Sequence, residues 1–121
     1  MDVALIIDDN RQTADTLREM LQMLGIEAMV AYGASAGLGA LKISRPGAIF
    51  LDINMPGLDG FEILGYLHRE PRLSSVPVIV VTSDDQPETA RRVEKMKAKA
   101  IIIKPVMLET LEAAVKKAGL I

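Results

Sequence analysis

Asp8, Asp9, Asp52, Thr82 and Lys104 are the residues of this 121-residue chain whose chemistry would matter most if folding brought them together. Three carboxylates in one place repel one another, which raises their pKa values unless a cation is present. A divalent ion relieves that repulsion, and an all-oxygen donor set favours Mg²⁺ or Mn²⁺. Mg²⁺ usually takes one or two protein carboxylates and fills its shell with water and phosphate oxygens, so such a site points to phosphoryl chemistry. An aspartate can itself be the nucleophile and form an acyl phosphate. Lys104 and Thr82 would then offer a charge and a hydrogen-bond donor to the phosphoryl oxygens.

Whether they meet depends on the elements that carry them. Each follows a short apolar run: Val3 to Ile7, Ala48 to Leu51, Val78 to Val81 and Ala100 to Ile103. Runs of this length, rich in Val and Ile, read as parallel strands covered on both faces. In open α/β sheets the ligand site lies outside the carboxyl ends of the strands, which is where all five residues fall. Helical patterns alternate with these runs, the signature of βαβ units. Asn10 is a candidate N-cap for a helix through Ala14, Leu17, Leu21 and Leu24, closed by Gly25. Glu27 to Ala31 is the weakest strand pattern, and Ser35 to Ser44 a helix weakened by Gly37 and Gly39. A loop with Pro56, Gly57 and Gly60 enters a helix running to about Glu70. Pro87 suits the first position of the next helix, through Ala90, Val93 and Met96. Met107, Leu108, Leu111 and Val115 mark the last. Five βα units with right-handed crossovers follow.

The chain is long enough for one domain with a sizeable core. Half of its residues are hydrophobic but only 3% are aromatic, so the core is aliphatic, with seven Met to fill gaps. Met20, Met23, Met96 and Met107 fall at or near helical core positions. The absence of Cys excludes thiol catalysis and thiolate metal sites, and suits a reducing, cytoplasmic setting. A net charge of -2 argues against a nucleic-acid binder. No basic leader precedes the first strand, and no apolar stretch nears the roughly 18 to 20 residues that span a bilayer, so no membrane partner is expected. Acidic residues outnumber basic ones up to residue 84 and basic ones outnumber acidic from there on.

Asp8-Asp9-Asn10, the run Asp52-Ile53-Asn54-Met55-Pro56-Gly57-Leu58-Asp59-Gly60-Phe61-Glu62, Thr82-Ser83 and Lys104-Pro105 together resemble a response-regulator receiver domain of two-component signalling. The resemblance covers the whole chain in order and spacing. It implies a flavodoxin-like, doubly wound α/β fold: a five-stranded parallel sheet of order 2-1-3-4-5 with five helices, one receiver domain over residues 1–121 and no output domain in this chain. It also implies that Asp52 is the phosphoacceptor, fed by a histidine kinase or a histidine phosphotransfer protein in a phosphorelay. Asp9 and Asp52 would bind Mg²⁺ directly with the backbone carbonyl of Asn54, and Asp8 largely through a water. Thr82 would bond a phosphoryl oxygen and move in doing so, and Lys104 would pair with Asp52 or its phosphate. Pro105 would follow a cis peptide bond. Asn54 and Asp84 match positions that tune phosphoryl lifetime. The result would be a signalling switch with limited self-catalysed phosphorylation and dephosphorylation, not a metabolic enzyme.

This chain departs from the family at the relay to the surface. Ile101 stands where receivers commonly carry Tyr or Phe, Val106 where Phe is frequent, and Lys97-Ala98 where Gly-Ala is usual. Ile101 supports a second reading, a receiver-shaped scaffold that works without phosphate. A small Mg²⁺-dependent phosphatase is a third, but the acid/base aspartate it needs two residues after the nucleophile is Asn54. Gly33-Ala34-Ser35-Ala36-Gly37 matches a nucleophile-elbow pattern. A triad needs a downstream acid and then a His, and the only His, His68, is expected on a helix's solvent side; the domain is also too small for the fold that carries such an elbow. Arg91, Arg92, Lys95, Lys97 and Lys99, with Lys116 and Lys117, read first as a solvated basic face. Second, they read as a docking face on the fourth and fifth helices for an acidic downstream partner.

Overall fold

Each apolar run forms a strand and each helical pattern a helix in the computed structural model, which describes residues 2–57 and 59–121. Leu58, part of the run that carries the resemblance, lies outside the described residues. The order is β1 (Ala4–Ile7), α1 (Arg11–Met23), β2 (Ala28–Ala31), α2 (Ala34–Ile43), β3 (Ile49–Leu51), α3 (Gly60–Arg69), β4 (Val78–Thr82), α4 (Pro87–Lys95), β5 (Ala100–Ile103) and α5 (Leu108–Lys117). The strands are all parallel, in order β2-β1-β3-β4-β5. This is the doubly wound α/β fold expected from the sequence.

Alternation along the strands divides the core in two. Leu5, Ile7, Ile49, Leu51, Val78 and Val80 pack with Leu41, Ile63, Leu64, Leu67 and Val93 of α2, α3 and α4. Ala4, Ile6, Phe50, Ile79, Val81 and Ile102 pack with Leu17, Leu21, Leu111 and Val115 of α1 and α5. The outer strands depart from the expected double coverage. Met29 on β2 is exposed, as is Ile103 on β5, because both strands are sheet edges where the helix layers run out. No helix among the described residues is long and apolar enough to cross a membrane.

The helix ends hold the loops that matter. Asn10 caps α1 by accepting from the Thr13 amide at 3.0 Å. Gly25 closes it with φ 81°, and the Gly25 and Ile26 amides donate to the carbonyls of Gln22 and Leu21. α2 begins through Gly33 without a side-chain cap, so Ser35, expected near the cap, lies exposed inside the first turn. Two methionines depart from the expected core role. Met23 ends α1 and is 68% exposed; Met107 precedes α5 as its N-cap residue and is 55% exposed. Met20 and Met96 are half-buried against the core.

Candidate functional site

The carboxyl ends of β1, β3, β4 and β5 meet, and the five residues meet with them. Asp8 and Asp52 are buried and Asp9 is exposed. Asp8 and Asp52 are held alike: each Oδ1 accepts, at 2.9 Å, the backbone N–H of the residue two further on, Asn10 and Asn54 respectively. Such turns fix a carboxylate against its own loop. Each Oδ2 faces Lys104, whose Nζ lies 3.0 Å from Asp8 and 3.3 Å from Asp52. Carboxylate oxygens of Asp8, Asp9 and Asp52 all come within 4.8 Å of one another.

Electrostatics follows from this packing. Burial pushes the Asp52 carboxyl above the ordinary carboxylate range; the Asn54 N–H and Lys104 pull it back, and Asp8 adds to the rise. Desolvation, rather than the expected mutual repulsion, leads. For Lys104, burial works against the charge, but the bonds to Asp8 and Asp52 outweigh it and hold the ammonium above the usual lysine range. One ammonium answers three carboxylates. The donor set is all oxygen, with the exposed Asp9 on its open side, and it fits a hard divalent cation better than a second organic one.

Thr82, the last residue of β4, is fully buried. Its Oγ1 accepts from Asn54 Nδ2 and from the Asp84 backbone N–H, both at 3.1 Å. With both lone pairs occupied, its own O–H is what it can still offer an incoming oxygen. Asn54 therefore ties Asp52 to Thr82 across two strand ends. Asp84 is turned toward α4: its carboxylate accepts from the Thr89 hydroxyl at 2.6 Å and the Gln86 amide at 2.9 Å. Those bonds, Thr89's first, hold its carboxyl below the usual range. The Lys104-Pro105 bond is cis. Ile101 is half-buried against the α2, α3 and α4 side of the core. A groove of about 480 Å³ between Gln12, Thr13 and Thr16 of α1 and the Lys104–Val106 segment reaches Lys104.

Gly60 explains why the loop after Asp52 stays put. A Cβ there would lie 2.3 Å from Ile53 Cα and 2.8 Å from the Asp52 carbonyl oxygen. Only glycine lets α3 start this close to the backbone of Asp52. Asp59 caps that start by accepting from the Phe61 N–H at 2.9 Å.

Several contacts were not legible in the sequence. His68, expected to be a lone solvated histidine, bonds through Nε2 to the Met96 carbonyl. Arg92, expected on a solvated face, lies over the Phe61 ring at 3.7 Å. Arg11 lies over Tyr32, whose hydroxyl donates to Asp15 at 2.5 Å. All join residues far apart in the chain, and no local spacing announces them.

With this geometry in view, the comparisons with known proteins agree on one family. The model of the response regulator receiver domain matches residues 4–116. Protein PilH of Pseudomonas aeruginosa is 33% identical over 107 residues, which is 88% of each chain. The chemotaxis response regulator CheY4 of Vibrio cholerae superimposes with a TM-score of 0.88 at 24% identity, over 98% of each chain. The signal receiver domain of a DNA-binding response regulator from Colwellia psychrerythraea gives 0.88 at 27%, over 97% of each. The chain belongs to the response regulator receiver domain family, whose members are the switches of two-component signalling.

Proposed function

We propose that Asp52 accepts a phosphoryl group and that its phosphorylation alters partner binding. The observation that carries this reading is the buried Asp52 carboxylate, bonded to Lys104 and within 4.8 Å of two further carboxylates at one sheet edge. The donor would be a phosphohistidine on a histidine kinase or phosphotransfer protein, or a small acyl phosphate. An Asp52 oxygen forms the new O–P bond as the P–N bond to the donor's imidazole breaks, and the imidazole keeps the electron pair. Asp8, Asp9, Asp52 and the Asn54 carbonyl are the groups that would hold Mg²⁺ or Mn²⁺, which would neutralise charge on the transferring group.

The chain's own residues do the rest. Lys104 exchanges part of its bond to Asp52 for a phosphoryl oxygen, and Thr82 turns its free O–H toward another. The groove beside Lys104 gives the donor's imidazole a route along α1. Asn54 and Asp84 set the phosphoryl lifetime, Asn54 by lining the acceptor and Asp84 through its hold on Thr82. The acyl phosphate shifts a conformational equilibrium that already exists. The domain so described, residues 1–121, is a cytoplasmic switch and not a metabolic enzyme. Its downstream partner docks on the basic face of α4 and α5.

Beryllofluoride, which mimics the phosphoryl group, should shift the NMR signals of Asp52, Thr82 and Lys104, and only with Mg²⁺ present. An identical response in Asp52→Asn would remove Asp52 as the acceptor. Ile101 favours the second reading, the phosphate-independent scaffold. Partner affinity that is equal with and without beryllofluoride would establish it in place of the first.

A further inference from the structure

α4 is the helix least committed to the core: Val93 is its one buried residue. Side-chain ties hold it along its whole length instead. At its start, the Asp84 carboxylate takes the Thr89 hydroxyl and the Gln86 amide, while the Asp84 amide is bonded to Thr82. In its middle, the Arg92 guanidinium lies over the Phe61 ring of α3. At its end, His68 of α3 bonds the carbonyl of Met96, the residue that closes α4. A carbonyl only accepts, so His68 Nε2 carries the donated proton. Phe61 and His68 lie two turns apart on one face of α3, and Met96, which closes α4, lies one turn beyond Arg92.

The two ends of this arrangement are not equivalent. Phe61 follows Gly60, which packs onto the backbone of Asp52 and Ile53, so this end of α3 is anchored beside Asp52. The tie at the start of α4 reaches Thr82 through the Asp84 N–H, so a movement of Thr82 toward an oxygen on Asp52 would be passed to that end of α4. The two ties to α3 involve neither Thr82 nor Asp84.

We propose that α3 clamps α4 at two points, Arg92 on the Phe61 ring and His68 on the Met96 carbonyl. This clamp sets how readily α4 moves when Asp52 changes state, at the step where the family places an aromatic and this chain has Ile101. The part concerning Asp52 rests on the phosphoryl-acceptor reading; the clamp itself does not.

Native-state amide exchange of the full chain tests both. Arg92→Met keeps the packing and removes the cation, and His68→Leu removes the donor; both lie on the surface. In either variant the α4 amides should exchange about two- to fivefold faster, the range expected of an exposed cation–π contact, with α1, α2 and α5 unchanged. In a Phe61→Leu background, Arg92→Met should add nothing further. Because the clamp opposes the movement, beryllofluoride with Mg²⁺ should bind both variants about two- to fivefold more tightly, matching the exchange gain. Unchanged α4 exchange in both variants would overturn the clamp. Faster exchange with unaltered beryllofluoride affinity would overturn its coupling to Asp52. A wild-type protein that binds no beryllofluoride would defeat the phosphoryl-acceptor reading, while α4 exchange would still judge the clamp.

Discussion

At the scale of single residues, the acidic cluster is held in a state that costs stability. Asp52 is buried with its carboxyl raised, so keeping it ionised works against folding. That cost is complete above its folded pKa and fades as pH falls through it, because the folded state then binds the proton first. Asp52→Asn removes the charge while Asp8 still answers Lys104. The variant should therefore be more stable than the wild type at neutral pH, by about 1 kcal/mol, a usual gain from a single stabilising substitution. The gap should close in acid. Urea melts at neutral pH and near the bottom of the carboxylate range check this, and a variant less stable at neutral pH would contradict it. Lys104 acts in the opposite sense: its raised ammonium contributes stability below the ordinary lysine range that is lost as pH climbs through its folded value.

At the scale of elements, the end of α4 shows what a departure from family pattern costs. Lys97 sits at φ 64°, donating its amide to Glu94, and Ala98 donates to Val93, an arrangement in which glycine is the usual closing residue. A non-glycine residue in this left-handed region costs roughly 1–2 kcal/mol. Lys97→Gly should recover about 1 kcal/mol, offset in part by glycine's greater freedom in the unfolded chain. A denaturant midpoint that falls would refute this. Element boundaries were legible where the cap is local, as at Asn10 and Pro87. They were less so at α2, where Gly33 begins the helix and the Ser35 hydroxyl plays no capping part. The exposure of Met23 and Met107 escaped helical spacing because both stand at helix ends, where the periodic face no longer meets a partner.

At the scale of the whole molecule, the sheet converts sequence order into a site. Asp8, Asp52, Thr82 and Lys104 were legible because each closes a contiguous apolar run, and parallel strands bring all such ends to one edge. What stayed hidden was contact between helices, since Arg92 over Phe61 and His68 on Met96 depend on how α3 and α4 lie against the same sheet face. The basic residues Arg91, Lys95, Lys97, Lys99, Lys116 and Lys117 are all exposed in the fold, so the proposed docking face is open to solvent. Reversing the charge at Arg91 and Lys95 should weaken binding of an acidic partner several-fold, with a smaller effect in high salt. Equal affinity for every partner tried would remove this face from consideration. The slight anchorage of α4 bears on how such a protein diversifies. Of the nine residues in that helix only Val93 belongs to the interior, and none supplies a group to the acidic cluster. If α4 forms the docking face proposed above, its exposed residues outside the contact with α3 can change what docks there while the core and the acidic cluster stay as they are.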